Sequence, residues 1–238
     1  MLALRGRAVL TVASAVIVVG GCSASAEEPT LATGTTPKTS AASSRQVDLS
    51  RVGEIAGSFP VGYAPNPPAG PTKLDPKVDK AADFVSWGKP LTVQPDDCRS
   101  LLKPVTPSTG AEFASITSVK GATEPFVGVY VYDPVSEASP IPDSGCDHFT
   151  FEAEGALPDG RVDRLGAPTF EAATSYAIKT AFTPDASAVE VPLVEYFYVA
   201  ILAGRTFVKL WARVPADFNA EPALPELLIR TVAVLRGG

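Results

Sequence analysis

Few side chains in this sequence have the types and spacing that catalysis needs. The 238-residue chain contains one histidine, His148, so a Ser–His–Asp arrangement would have to use it. The motif G-x-S-x-G, which presents a nucleophilic serine on a sharp turn, does not occur. A lone histidine is more often a hydrogen-bonded structural residue. We therefore expect a protein that is not an enzyme, with a hydrolase built on His148 as the alternative.

Two pairs of carboxylates are candidates for binding a cation. Glu152 and Glu154 are two residues apart in a predicted strand, so they share one face of it, although a solvated strand face is the commoner meaning of such a pair. Asp159 and Asp163 flank an Asp-Gly turn, without the carboxylate series and closing glutamate of an EF-hand loop. We therefore predict no metal site and no cofactor.

A more suggestive pattern lies in the strand that follows Ala203-Gly204. Alternate residues there are basic and aromatic, and they share one face: Arg205, Phe207, Lys209, Trp211 and Arg213. Stacking and cation–π contacts from such a face suit a glycan, an acidic lipid headgroup or a partner protein. The competing interpretation is that the two rings lie beneath the C-terminal helix, with charged stems covering their edges.

The three cysteines separate into one near the N-terminus and two far downstream. Residues 1–21 carry Arg5 and Arg7, then an uncharged run that ends at Gly21, which is the pattern of a secretory signal. The apolar part covers about 12 residues, roughly 18 Å of helix, which is short of a bilayer core of about 30 Å. The sequence therefore predicts export rather than a permanent membrane-spanning helix.

The residues that end this segment, Val19–Cys22 ("VGGC"), resemble the lipobox of bacterial lipoproteins. The resemblance implies a diacylglyceryl group on the Cys22 thiol and cleavage before Cys22, which gives a chain anchored to the membrane at the extracytoplasmic face of the cell envelope. Two or more acyl chains hold a protein stably on a membrane, whereas one holds it only marginally. An Ala-x-Ala site at Ala24–Ala26 leaves ordinary signal cleavage, with loss of Cys22, as the alternative.

Composition changes after the predicted anchor. Residues 22–46 are mostly Ser, Thr, Ala, Pro and Gly and contain one large apolar side chain, Leu31, so we predict a disordered tether. The full chain has a net charge of −6, which becomes −8 when the two arginines of residues 1–21 are removed. A negative, exported chain does not favour nucleic acid as a partner.

Cys98 and Cys146 remain as a pair once Cys22 is lipidated. An exported domain lies where disulfides persist, and two cysteines allow one intramolecular pairing. Neither a C-x-x-C motif nor a zinc-type cysteine–histidine spacing occurs. We therefore predict a structural disulfide between Cys98 and Cys146.

Residues 47–238 are enough for one domain with a substantial core. Apolar residues at helical spacing after Asp48 or Ser50 predict an N-terminal helix, and short helices are predicted within 74–85 and 95–103. Strands are predicted in the ranges 111–120, 126–134, 146–154, 170–182 and, as a hairpin, 194–214. A last helix, Pro222 to Leu235, carries an apolar stripe. Strands in series followed by a closing helix predict an α+β fold with a mainly antiparallel sheet.

This domain resembles a type that recurs in exported lipoproteins of actinobacteria, especially mycobacteria. The similar features are the entry "VDLSRVGEIAGSFPVGY", the P-x-x-C-R at Pro95–Arg99, the P-x-S-G-C-D around Cys146, and the closing hairpin and helix. The resemblance implies a domain of unknown function, distantly similar to the extracellular sensor domains of receptor-type serine/threonine kinases. It carries over no catalytic residue.

These observations favour a binding, accessory or sensor domain of the cell envelope. Its expected partner is an envelope protein, a lipid or a glycan. A lipid or glycolipid carrier is the second hypothesis and would need an apolar cavity between the sheet and the helices.

The lipid anchor gives the first prediction. Replacing the acylated thiol in Cys22→Ser removes the only site for the diacylglyceryl group, so the protein should leave the membrane fraction for the medium or remain unprocessed. Fractionation and intact-mass spectrometry measure this. An unlipidated mature chain that begins at Glu27 would show that the lipobox interpretation is wrong.

Overall fold

The computed structural model describes residues 47–75, 82–120, 125–154, 159–182 and 193–238. The predicted signal segment, Cys22 and the tether lie outside these residues. The ten strands are β1 (Ala64–Pro65), β2 (Ala69–Lys73), β3 (Leu91–Gln94), β4 (Val105–Val119), β5 (Phe126–Glu137), β6 (His148–Ala153), β7 (Gly160–Leu165), β8 (Ala173–Phe182), β9 (Leu193–Leu202) and β10 (Thr206–Pro215). The helices are α1 (Arg99–Leu102), α2 (Ala223–Leu235) and two 3₁₀ helices, Leu49–Ser58 and Asp96–Cys98.

The ten strands of the described residues form one antiparallel sheet. Their order is β1-β4-β5-β10-β9-β8-β7-β6-β3, and β2 also pairs with β4. The central hairpin β9–β10 turns at Ala203-Gly204, with Thr206 opposite Leu202 and Pro215 opposite Leu193. Three residues connect the paired Leu202 and Thr206, and the first two of them, Ala203 and Gly204, have positive φ, the conformation that suits the twist of a hairpin. The predicted α+β class with a mainly antiparallel sheet is confirmed.

One side of the sheet, the helix face, is covered by α2 and the N-terminal 3₁₀ helix. The α2 residues predicted to form an apolar stripe are all buried: Leu224, Leu227, Leu228, Thr231 and Leu235. They pack on Val208 and Leu210 of β10 and their neighbours on β5 and β9. No helix in the described part of the chain is both long and apolar enough to cross a membrane.

The predicted N-terminal helix is present and is a 3₁₀ helix. Its buried residues Leu49, Val52 and Ile55 are spaced by three, and a 3₁₀ helix with three residues per turn places such residues on one line. Asp48 is the N-cap, because its carboxylate accepts a hydrogen bond from the Ser50 backbone N–H at 3.0 Å.

The opposite side of the sheet, the disulfide face, is covered by residues 82–102. Phe84, Leu101 and Leu102 from this segment pack on Phe197 and Phe207 of the central hairpin. The predicted disulfide Cys98–Cys146 is present, with a Cα–Cα distance of 5.6 Å, and joins this segment to the residues before β6.

Two local expectations are corrected by the structure. The segment with Asp159 and Asp163 is not only a turn, because Gly160–Leu165 forms β7 between β6 and β8. Of the helix expected within residues 74–85, residues 76–81 lie outside the described part, and residues 82–85 form turns and bends instead. The short helix predicted in residues 95–103 is confirmed as the second 3₁₀ helix followed by α1.

The disulfide gives the second prediction. In the chain-entropy treatment, a bridge that closes a loop of about 49 residues contributes roughly 4 kcal/mol, so the double variant Cys98→Ala with Cys146→Ala should lose about that much free energy of unfolding. Denaturant unfolding of the oxidised protein and the variant measures it, and the reduced natural chain is the control. An unchanged unfolding midpoint, or free thiols at both positions in the native protein, would contradict the prediction.

Candidate functional site

Some residues of the predicted basic and aromatic stripe on β10 are buried, and others are accessible to solvent. Phe207, Lys209, Trp211 and Arg213 all project to the disulfide face, as the period of two predicts. Phe207 is 0% exposed and Lys209 is 3% exposed, so neither can contact a ligand directly. Trp211 and Arg213 are half-buried. Arg205 lies in the hairpin turn, where its guanidinium pairs with Asp133 at 3.1 Å.

Phe207 is covered, but not by the C-terminal helix. Helix α2 lies on the other face of the sheet, so the expectation that it shields these rings is wrong. The covering ring is Phe84, which stacks on Phe197 at a centroid distance of 4.5 Å and lies 6.4 Å from Phe207. Phe207 is therefore a core residue held between the sheet and residues 82–102.

Lys209 is a buried cation surrounded by rings. Its Nζ atom lies 5.3 Å from the ring centroid of Phe84, 5.0 Å from that of Tyr130 and 5.2 Å from that of Trp211. The negative face of an aromatic ring attracts a cation at such distances. These contacts help to offset the loss of hydration that burial of the ammonium group costs.

Beside Lys209 the rings reach the surface and form what we call the ring patch: Trp87, Phe126, Tyr130 and Trp211. Trp211 is its centre, with centroid distances of 6.1 Å to Trp87, 4.6 Å to Phe126 and 6.1 Å to Tyr130. Trp87 is 47% exposed, and the other three rings are partly exposed. The chain contains two tryptophans, and both are in this patch.

Tyr130 lies flat in the patch because of the glycine two residues before it. A Cβ atom on Gly128 would come within 2.8 Å of Tyr130 Cε2, so the phenol ring occupies the space that a side chain at position 128 would need. Burial raises the pKa of Tyr130 to about 12, so its hydroxyl stays neutral and able to donate a hydrogen bond at ordinary pH.

Trp87 is held in place by a buried carboxylate. Asp83, which is 6% exposed, accepts hydrogen bonds from the Ser86 backbone N–H at 2.8 Å, the Ser86 hydroxyl at 2.5 Å and the Gly88 backbone N–H at 2.9 Å. The intervening residue, Trp87, has φ of 51°, in the left-handed region that costs energy for a residue with a side chain. The turn thus presents a large indole to solvent in a strained conformation.

Polar groups border the ring patch on the same face. Arg213 Nε lies 3.7 Å from Oε1 of Glu195, which is 2% exposed, whereas the Arg213 side chain is 34% exposed. On the other side, Thr117 lies opposite Gly128 in the β4–β5 pairing, and its hydroxyl accepts a hydrogen bond of 3.4 Å from the Asn66 amide. A ligand on the rings would therefore meet hydrogen-bonding groups at two edges.

The residues considered for catalysis and metal binding lie elsewhere. His148 and Asp163 face each other on β6 and β7, with Nδ1 and Oδ1 2.8 Å apart and the histidine side chain 80% exposed. Glu152 is exposed on β6, as a solvated strand face predicts, whereas Glu154, also exposed, lies in the turn that follows the strand. Within the described ranges, no three His, Cys, Asp or Glu side chains are grouped as a metal site would require.

Sequence reasoning found Trp211 but missed the other three rings of the patch. A signal existed in β5, because Phe126, Gly128, Tyr130 and Tyr132 alternate along one face of a predicted strand. No comparable signal marked Trp87, because its place depends on the tertiary packing of residues 82–102 onto the sheet.

The different burial of the rings gives the third prediction. Phe207→Ala should lower the free energy of unfolding by about 3–5 kcal/mol, because it empties a fully buried ring site. Trp87→Ala should cost about 1 kcal/mol or less, because the indole is half exposed. Denaturant unfolding of both variants measures the difference. Equal losses would contradict this assignment of core and surface.

Comparison with known proteins supports the fold alone. No model of a known protein family matches the chain, and no curated protein sequence is similar to it. An uncharacterized protein from Mycobacterium smegmatis, described as the Rv0999 ortholog, has a similar structure, with a TM-score of 0.52 and 20% sequence identity over 80% of this chain and 98% of that one. The fold is therefore similar to that of an uncharacterized mycobacterial protein.

Proposed function

We propose that this protein is a non-enzymatic binding domain of the cell envelope, anchored by lipid on Cys22, and that it binds its ligand through the ring patch. The tether of residues 22–46 would hold the domain away from the membrane surface. The resemblance of Val19–Cys22 to a lipobox supports the anchor.

The observation that carries the proposal is the exposure of Trp87 in a strained conformation. A large ring exposed to water costs free energy, and a positive φ at a tryptophan adds to that cost. The hydrogen bonds to Asp83 hold both features in place. Strain retained by surrounding contacts is typical of ligand-binding positions, and tryptophan is enriched where binding energy is concentrated.

The alternative functions have less support. His148 is 80% exposed, whereas a catalytic histidine works in a cleft that partly excludes water. A lipid carrier would need a cavity between the sheet and the segments that cover it. Among the described residues, Leu227 on the helix face and Phe197 and Phe207 on the disulfide face are fully buried, each packed within the core cluster of its own face. No observation favours either function.

The fourth prediction concerns binding to insoluble cell-envelope material of the source organism, measured by sedimentation of the protein with that material. The chain from Ser23 onward is used, because it lacks the lipid and keeps the whole described core. Trp87→Ala should weaken its binding by about tenfold or more, the loss expected for a central indole in an interface. Binding isotherms of the two proteins measure the effect.

Ile229→Ala is the matched control. Ile229 is an apolar residue that is 48% exposed, close to the 47% of Trp87, but it lies on α2 at the opposite face of the sheet. This variant should bind as the natural chain does. If Trp87→Ala also binds unchanged, the ring patch is not the binding surface and the proposal fails.

A further inference from the structure

We infer that the ring patch binds an anionic saccharide polymer, an inference that rests on the proposed function and adds the chemical class of the ligand. Three properties of the patch carry it: the kinds of ring, the polar groups at the edges, and the placement of charge.

The rings are suited to a ligand that has both apolar and polar surfaces. Each pyranose ring presents C–H groups on its faces and hydroxyls around its edge. Trp87 and Tyr130 likewise combine a flat apolar face with an N–H or O–H group, and Trp211, whose indole N–H is buried, adds a ring face. The patch lies on the surface of a sheet and leaves Trp87 47% exposed, so it supports a chain lying across it rather than enclosing an acyl chain.

The edges of the patch offer the donors and acceptors that hydroxyl groups need. Asn66 and Thr117 contribute an amide and a hydroxyl on the β4 side. Arg213 contributes a partly exposed guanidinium on the β10 side. A polymer of sugars can stack on the central rings and hydrogen-bond to both edges, whereas a purely apolar ligand would contact only the rings.

The charges next to the patch favour an anion, although the chain as a whole is negative. Two acids on this face of the described chain, Asp83 and Glu195, are 6% and 2% exposed, and Asp83 is turned inward onto its own loop. Two cationic residues of the described chain are more accessible: Arg213, which pairs with Glu195 but has a side chain that is 34% exposed, and Lys89, an exposed residue two positions after Trp87. This arrangement is complementary to carboxylate or similar groups on the ligand.

Lys209 also favours an anion over a cationic ligand. Its ammonium group already occupies the space that Phe84, Tyr130 and Trp211 surround, so these rings do not form an open cage for a second cation. A positive charge behind the rings also reduces the repulsion that their outer faces exert on an anionic ligand.

Tryptophan fluorescence of the chain from Ser23 onward, excited selectively at wavelengths where tyrosine does not absorb, tests the inference, because both tryptophans of the chain lie in the patch. The chain is titrated with polygalacturonate, with neutral dextran of similar length and with polyglutamate. Polygalacturonate should shift the emission and bind about tenfold or more tightly than either of the others. Raising the salt concentration should weaken that binding, because the exposed charges are screened.

Two variants test the role of the indole. Trp87→Ala should lose about tenfold or more in polygalacturonate affinity, while Trp87→Phe, which keeps an aromatic face, should retain most of it; Trp211 reports in both variants. Thermal unfolding shows that each variant is folded. Loss of equal size in both variants would contradict stacking on residue 87.

The other outcomes separate this inference from the proposed function. Equal binding of dextran overturns the requirement for an anion, and equal binding of polyglutamate overturns the requirement for sugar rings. If none of the three polymers binds while Trp87→Ala still weakens sedimentation with envelope material, the saccharide inference fails and the binding function stands. If Trp87→Ala leaves that sedimentation unchanged, the proposed function itself fails.

Discussion

The hairpin of β9 and β10 lies at the centre of the sheet and is buried on both faces, by α2 and the N-terminal 3₁₀ helix on one side and by residues 82–102 on the other. Most side chains of these two strands must therefore fit one of two packed layers. Apolar residues do so readily, and fully buried Phe197, Phe207 and Leu210 account for much of the core. The disulfide holds the second layer on the sheet by joining Cys98 to Cys146.

Charged residues inside this layered arrangement need partners, because burial removes them from water. Lys209 lies among three aromatic rings, Glu195 lies beside Arg213, and Asp83 accepts three hydrogen bonds from its own loop. The buried Asp83 carboxylate also affects the surface. The carboxylate that closes the loop also fixes Trp87 against Trp211, so one buried charge connects the core to the ring patch.

Much of the fold could be predicted from local patterns. The two-residue period in β5, β8 and β10, the glycine turn of the central hairpin and the stripe on α2 all correspond to elements of the structure. The disulfide could be predicted by pairing the two cysteines that remained. The long apolar run of β9 was also informative, since strands buried on both faces read in this way. Strands β1, β2, β3 and β7 were missed because they are short or polar and gain their pairing from neighbours.

The sequence by itself determined which residues of β10 share a face, because alternation along a strand is a property of the backbone. It did not determine what covers that face. The alternating charges of β10 are typical of a solvated surface, yet Phe84, more than a hundred residues earlier in the chain, lies over Phe207 and beside Lys209. Only the tertiary structure could decide this, because burial depends on contacts between segments distant in sequence. The same contacts placed Trp87 beside Trp211 and so formed the ring patch.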